Sequence, residues 1–178
     1  MTSTSNFAKY FDRATSSVDW ETVYASELPR VFNFFRYSVG NDMLAEDLTA
    51  ETFRKAWQNR HKYDHNRGAF STWLFSIARH TAVDHFRSQK PEFPIESIAN
   101  LQANNPSETT ILQQEDLTRL STILSQYPVR ERELIALKFG AGCSNKEIAI
   151  QIGISATNVS TLLHRILQKI REAWEVNE

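Results

Sequence analysis

Cysteine is almost missing from this chain: Cys143 stands alone among 178 residues. No internal disulfide can form, no cysteine metal site can be assembled, and a reducing cytoplasm is the expected compartment. Glycine and proline are nearly as scarce, at five each. That disfavours an all-β architecture with its many tight turns. No apolar run approaches the roughly 18 residues that a membrane span requires, and the polar opening from Met1 to Ser5 has no signal-peptide character. Excess charge is missing as well. The net charge of −1 argues by itself against a general nucleic-acid binder.

What is present is a core and a blockwise charge pattern. Hydrophobic residues make up 41% of the chain, enough for one medium domain or two small ones and too many for a disordered protein. From Asp19 to Phe53 there are two basic residues against seven acidic ones. From Arg54 to Lys90 there are eight basic residues, four histidines and only two acidic residues, Asp64 and Asp84. From Pro91 to Tyr127 the balance turns acidic again, five to one. Such blocks suggest one face for a polyanion and another for a different partner.

The most informative stretch runs from Ser144 to Arg165. Ser144 with Glu147 makes a capping box that opens a short helix with Ile148, Ala149 and Ile152 on one face. Gly153 stands where the chain must leave that helix. Ser155 can cap the next, whose apolar stripe is Val159, Leu162, Leu163, Ile166, Leu167, Ile170 and Trp174. A small residue at 149, a glycine at 153 and a branched residue at 159 are what a helix-turn-helix needs, with its second helix in the major groove. An ordinary αα-hairpin in a helical core shares the pattern.

Upstream, residues 1 to about 18 are weakly patterned and receive no assignment. Tyr24, Leu28, Val31, Phe32 and Phe35 predict a helix from about 21 to 39, with Pro29 kinking it or lying in its first turns. Gly40 and Asn41 end it, and Asp42 can cap the next. In that next helix, from 43 to about 59, Leu44, Leu48, Phe53, Ala56 and Trp57 can face a core, while Glu46, Asp47, Glu51, Arg54 and Lys55 point away. The outward face reads either as a solvated surface or as a dock for a protein partner.

His61 to Ala69 is a polar loop; His61 and His65 stand four apart but lack further ligands at metal spacing, so no metal site is expected. Ser71 can cap a helix running to Arg87, with Phe70 stapled onto Phe75. Leu74, Ile77, Ala78 and Thr81 continue its buried face, leaving Trp73, Arg79, His80, Asp84 and Arg87 around the rest. Aromatic and basic residues interleaved on a helix suit single-stranded nucleic acid, where each stacked base contributes roughly 1–3 kcal/mol; some of these rings are expected to be core.

From Ser88 to about Ser107, three prolines and no sustained period mark a linker. Extended, about 20 residues span on the order of 65–70 Å, enough to separate two DNA-reading units by more than one duplex turn of roughly 34–36 Å. A helix carrying Ile111, Leu112, Leu120, Leu124 and Tyr127 follows. Pro128 then opens another, with Glu131 and Glu133 near its positive end and Leu134, Ile135, Leu137 and Phe139 packing beneath the helix-turn-helix. The expected fold is all-α: two small helical domains joined by a flexible linker, the second containing the helix-turn-helix.

Two blocks, residues 45–53 and 70–79, together with Leu124 to Pro128, Arg132-Glu133-Leu134 and the unit from Glu147 to Val159, resemble the sigma-70 family of bacterial RNA polymerase sigma factors. The resemblance is specifically to the small two-domain extracytoplasmic-function (ECF) group. It divides the chain into an N-terminal extension (1–18), region 2 (19–90), a linker (91–107) and region 4 (108–178). It implies a non-enzymatic, cofactor-free cytoplasmic subunit that directs core RNA polymerase to promoters. Asp47, Leu48, Glu51, Phe53 and Arg54 would contact the clamp helices of the largest polymerase subunit. Asp64, Asn66, Arg67, Phe70, Thr72, Trp73, Arg79, His80, Asp84 and Arg87 would read and melt the −10 element. Lys146, Ser155, Thr157, Asn158, Ser160, Thr161, His164, Arg165 and Lys169 would read the −35 duplex, with the preceding helices on the flap of the second-largest subunit. An anti-sigma factor is a further implied partner.

The chain departs from the pattern in two places. The family often has asparagine where His80 stands, and frequently lysine or arginine at the positions of Ser160 and Leu162. With so few cations, weak binding to free DNA is expected, rescued by tethering to polymerase. The alternative is a helix-turn-helix regulator that binds operators unaided. An enzyme would have to use Asp47 with Glu51, or His80 with Asp84, and no nucleophile, phosphate loop or metal constellation supports either pair.

Overall fold

A computed structural model describes residues 18–88 and 108–176, without the side chains of 108–115, 117 and 176. Every regular element among them is helical. Helix α1 (Trp20–Val39) is capped by Asp19, whose carboxylate accepts from the backbone N–H groups of Glu21 and Thr22. Hydrogen bonds from Thr22, its side chain first, hold that carboxyl below the ordinary aspartate range. Pro29 lies well inside the helix, and Gly40 ends it at φ 67°. Asn41, rather than Asp42, caps α2 (Asp42–Gln58) by accepting from the Leu44 N–H at 2.9 Å. Asp42 is the first helical residue and pairs with Arg36 at 2.9 Å.

After a 3₁₀ turn at Arg60–Lys62 comes α3 (Phe70–Ser88). It begins two residues earlier than a Ser71 cap would require. Phe70 is therefore inside the helix, and its ring meets Trp20, Tyr63 and Trp73 at centroid distances of 5.4, 5.2 and 5.4 Å instead of stapling onto Phe75. Val31, Phe34 and Phe35 of α1, Ala45 and Ala56 of α2, and Leu74, Phe75 and Ala78 of α3 are buried together.

The second half comprises α4 (Glu108–Ser125), α5 (Val129–Ile135), a π-helical turn (Ala136–Gly140), α6 (Asn145–Ile152) and α7 (Ala156–Val176). Pro128 stands at the N-cap of α5. The extended, proline-punctuated segment expected between the halves lies outside the described residues, as do the side chains of Ile111 and Leu112.

The two halves pack on each other, which the picture of separate modules did not anticipate. Their buried residues form one cluster in which Val31, Phe34 and Phe35 join Leu134, Ile135 and Leu137. The π-helical turn lies against α1 so closely that a Cβ on Gly140 would stand 2.7 Å from the Asn33 carbonyl oxygen. Arg30 Nε donates to the Ala141 carbonyl at 2.9 Å across this seam, and its guanidinium rests 5.3 Å from the Phe75 ring centre. Phe139, expected in the core, is instead 48% exposed beyond the seam.

Candidate nucleic-acid and polymerase interfaces

The helix-turn-helix forms as its sequence dictates. Glu147 N–H donates to Ser144 Oγ at 3.2 Å, and Ser144 N–H donates to Glu147 Oε2 at 2.7 Å. The hydrogen bonding that the carboxylate accepts from Ser144, its backbone N–H first, holds the Glu147 carboxyl below the ordinary glutamate range. Gly153 leaves α6 at φ 72°, a left-handed conformation that costs other residues energy. The α7 stripe of Val159, Leu163, Ile166 and Ile170 is buried. Leu162 and Trp174 are partly buried, while Leu167 is 37% exposed.

Packing that stripe turns the rest of α7 outward. Lys146, Ser155, Thr157, Asn158, Ser160, Thr161, His164, Arg165 and Lys169 are all exposed. Several nevertheless have internal duties. Ser155 Oγ accepts from the Asn158 N–H at 3.2 Å, Ser160 Oγ accepts from Asn145 Nδ2 at 2.7 Å, and Lys169 pairs with Glu131 at 3.6 Å. Thr161 donates to the Thr157 carbonyl at 3.1 Å.

On the first half, two residues that the resemblance puts on the polymerase surface are core residues, as their spacing suggests. Leu48 and Phe53 are each 8% exposed, and the Phe53 ring packs edge-on to Tyr24 at 4.8 Å. They project inward from α2 because that face meets α1, so neither offers a side chain to a partner. Asp47 and Arg54 are exposed and Glu51 is half-buried. Glu51 and Arg54 form a two-pronged pair, both contacts at 2.6 Å, and that hydrogen bonding draws the Glu51 carboxyl below its usual range. Trp57, assigned by spacing to the core, is 50% exposed, with the Arg60 guanidinium over it at 4.3 Å.

The loop before α3 is ordered by its own side chains. Asp64 Oδ1 accepts from the Asn66 N–H at 2.9 Å and from Asn66 Nδ2 at 3.0 Å, and the backbone bond first of all depresses the Asp64 pKa. Tyr63 donates from its hydroxyl to the Gly68 carbonyl at 3.2 Å. Phe70 and Trp73 are half-buried in the cluster with Trp20 and Tyr63. Phe70 in particular serves as support for the loop. Arg67, Arg87, His80 and Asp84 are exposed. His80 Nδ1 is 2.6 Å from the Ser76 carbonyl, and Asp84 lies 3.7 Å from Lys55 of α2.

A cleft of about 420 Å³ opens between this loop and α6, with Lys62, Tyr63, Arg67 and Trp73 on one side and Ile150 and Gln151 on the other. Spacing alone missed Lys62 and Tyr63; their signal was membership in the basic, aromatic block ahead of α3. At one end Gln151 Nε2 donates to the Thr72 carbonyl at 2.7 Å. Two helical turns further along α3, outside the cleft, Arg79 is engaged by Glu133 of α5 at 2.7 Å and donates to the Gln151 carbonyl. Thr72 and Arg79, both expected on the −10 surface, are thus brought together with the second half.

No group of three or more potential metal ligands occurs among the described residues, His61 and His65 included. No described helix is long and apolar enough to cross a membrane.

Comparison with known proteins converges on one family. Residues 23–92 match the model of sigma-70 region 2, and residues 117–170 match that of sigma-70 region 4. Over 155 residues the chain is 28% identical to the ECF RNA polymerase sigma factor SigM of Bacillus subtilis (strain 168), covering 86% of this chain and 94% of that one. Over 166 residues it is 28% identical to the ECF RNA polymerase sigma factor SigX of the same organism, covering 88% and 84%. Its fold matches sigma factor RpoE in complex with the anti-sigma factor NepR from Bartonella quintana, with a TM-score of 0.71, 23% identity and coverage of 90% of this chain and 99% of that one. CnrH in complex with the cytosolic domain of CnrY matches at a TM-score of 0.70, with 20% identity over 93% and 95% of the two chains. With both sigma-70 regions matched in order on an all-helical chain, the protein belongs to the sigma-70 family of RNA polymerase sigma factors, in its ECF group.

Proposed function

We propose that this chain binds core RNA polymerase in the cytoplasm and directs it to a set of promoters by reading the −35 duplex and capturing the melted −10 strand. The observation that carries this reading is the division of α7. Its apolar stripe is buried against its own domain while Asn158, His164 and Arg165 stand outward on one helix, placed to enter a major groove. Asparagine can pair with adenine and arginine with guanine, each good pair contributing about 1–3 kcal/mol of discrimination.

On this reading Asp47, Glu51 and Arg54 form the surface for the clamp helices of the largest subunit. The loop around Asp64 to Arg67 and the outer face of α3 take the −10 strand. Capturing that strand requires bases to unstack at a cost of a few kcal/mol, offset by contacts with cations and ring faces. Helices α4 and α5 would face the flap of the second-largest subunit. The two solved structures of similar fold are complexes with other proteins, one of them the anti-sigma factor NepR; a protein of that kind is the regulatory partner of this chain on the present reading.

Run-off transcription with purified core polymerase tests the proposal. Adding the chain should produce promoter-dependent transcripts from sites mapped after its overexpression. A chain that never associates with core polymerase would overturn it. Tight binding to a palindromic operator without polymerase would point to an autonomous regulator instead.

A further inference from the structure

The C-terminal end of α2 carries an aromatic and basic surface that the proposed function leaves unused. Trp57, the penultimate residue of the helix, is half-exposed, and its indole is fixed from two sides. Trp20 of α1 meets it edge-on at 5.2 Å, and the Arg60 guanidinium lies over it at 4.3 Å. Arg60 is held in turn, because its Nη1 donates at 2.8 Å to the Trp57 carbonyl, one of the acceptors that a helix end leaves open. Indole and guanidinium thus form a preorganised stack.

Two features indicate what this stack faces. The first is charge. Arg60, His61 and Lys62 follow one another in the 3₁₀ turn with no acid among them, and His61 and Lys62 are exposed. The next carboxylate, Asp64, is turned onto its own loop through Asn66. The second is continuity. Trp20 also meets Phe70 at 5.4 Å, and Phe70 meets Tyr63 and Trp73 at 5.2 and 5.4 Å. An unbroken run of rings therefore leads from Trp57 to the cleft beside the loop proposed for the −10 strand, and Lys62 lines that cleft.

We propose that Trp57 and Arg60 form a stacking platform for an unpaired base that flanks the −10 segment, with the cations of the 3₁₀ turn meeting the adjoining phosphates. Every base has a π-face that stacks on an indole or guanidinium plane, so the platform takes single-stranded DNA without selecting its sequence. It lies at the opposite end of the proposed strand path from Arg87, which stands near the far end of α3. The proposal rests on the −10 reading of α3 and its loop made above. Strand polarity decides whether the 5′ or the 3′ flank arrives there.

Holoenzyme reconstituted from core polymerase and the full-length chain provides the test. Fluorescence anisotropy reads its binding to labelled single strands taken from the non-template strand of a promoter mapped after overexpression. One strand holds the −10 segment alone, two carry a short extension at the 5′ or the 3′ end, and two carry the same extensions without bases. The variants are Trp57→Ala, Trp57→Phe and Arg60→Gln, with circular dichroism to establish that each is folded.

In the wild type, one extension should raise affinity on the order of tenfold, the scale of one stacked base, and its abasic counterpart should lose most of that gain. Trp57→Ala and Arg60→Gln should remove most of the gain while binding the short strand as the wild type does; Trp57→Phe, which keeps a ring, should retain most of it. No gain from either extension, a gain that survives removal of the bases, or a gain undiminished in Arg60→Gln overturns the platform. If Trp57→Ala does not fold, Arg60→Gln and the abasic strands decide the matter. Folded variants that no longer associate with core polymerase would make the surface a protein contact and overturn the platform as well. A wild-type holoenzyme that does not bind even the short strand overturns the −10 reading itself; a short strand bound normally, with no gain on extension, isolates the failure to the platform.

Discussion

Arg79 and Glu133 lie 54 residues apart in the chain and meet at 2.7 Å, Nε to Oε1, joining the helix proposed for the −10 strand to α5 of the second half. Both side chains are mostly withdrawn from water, so each depends on the other for the hydrogen bonds that solvent would otherwise supply. If α3 takes the −10 strand as proposed, promoter capture and domain packing would draw on one guanidinium.

The acidic face of α2 separates contact from support. Replacing Asp47 or Glu51 with alanine should weaken core-polymerase binding and leave the melting temperature nearly unchanged. Phe53→Ala should instead destabilise the fold by about 3–5 kcal/mol, the usual cost of emptying a buried aromatic site. Denaturant unfolding alongside a core-binding titration distinguishes the two, and a fully stable Phe53→Ala would contradict its burial.

For the recognition helix, Asn158→Ala and Arg165→Ala should each cost about 1–3 kcal/mol in −35 discrimination while leaving core binding intact. Transcription from promoters with mutated upstream elements provides the measurement. Equal loss at every promoter, regardless of its −35 sequence, would count against base reading.

Acid should attack the helix-turn-helix through its cap. The folded Glu147 carboxyl titrates below its ordinary value of 4.5 because it accepts from Ser144. Its stabilisation is complete above that ordinary value and is lost as the pH falls through the depressed folded one. Glu147→Gln should lower stability at neutral pH by about 1 kcal/mol, as loss of a cap does, and the deficit should shrink in acid. Chemical denaturation across pH 2 to 7 checks the sign.

Burial pushes the Cys143 thiol up to about 11, leaving little thiolate at neutral pH. Iodoacetamide should modify the native protein far more slowly than the urea-unfolded one, as mass spectrometry would record. Similar rates in the two states would show that the thiol is accessible.

The helix boundaries and the helix-turn-helix were legible in the residues because their causes are local. A serine and a glutamate three positions apart cap a helix from within one turn, and Gly153 ends it by adopting a backbone conformation that disfavours other residues. The stripe on α7 likewise names its own outward face. Local spacing failed where two surfaces compete for the same side chain. Trp57 has the spacing of a core residue but is half-exposed, whereas Phe53, which the same spacing put in the core and only the family resemblance put on a partner surface, is enclosed between α1 and α2.

The sequence by itself thus determined the all-helical class of the described residues, two apolar-striped halves and a helix-turn-helix with its polar face. Tertiary structure alone decided that the halves share a core, that the π-helical turn lies on α1, and that Arg79 is held by Glu133. An apolar stripe specifies that it must be covered without specifying by what, and a charge block does not encode a partner 54 residues away. Those choices depend on shape matching between surfaces that lie far apart in the chain.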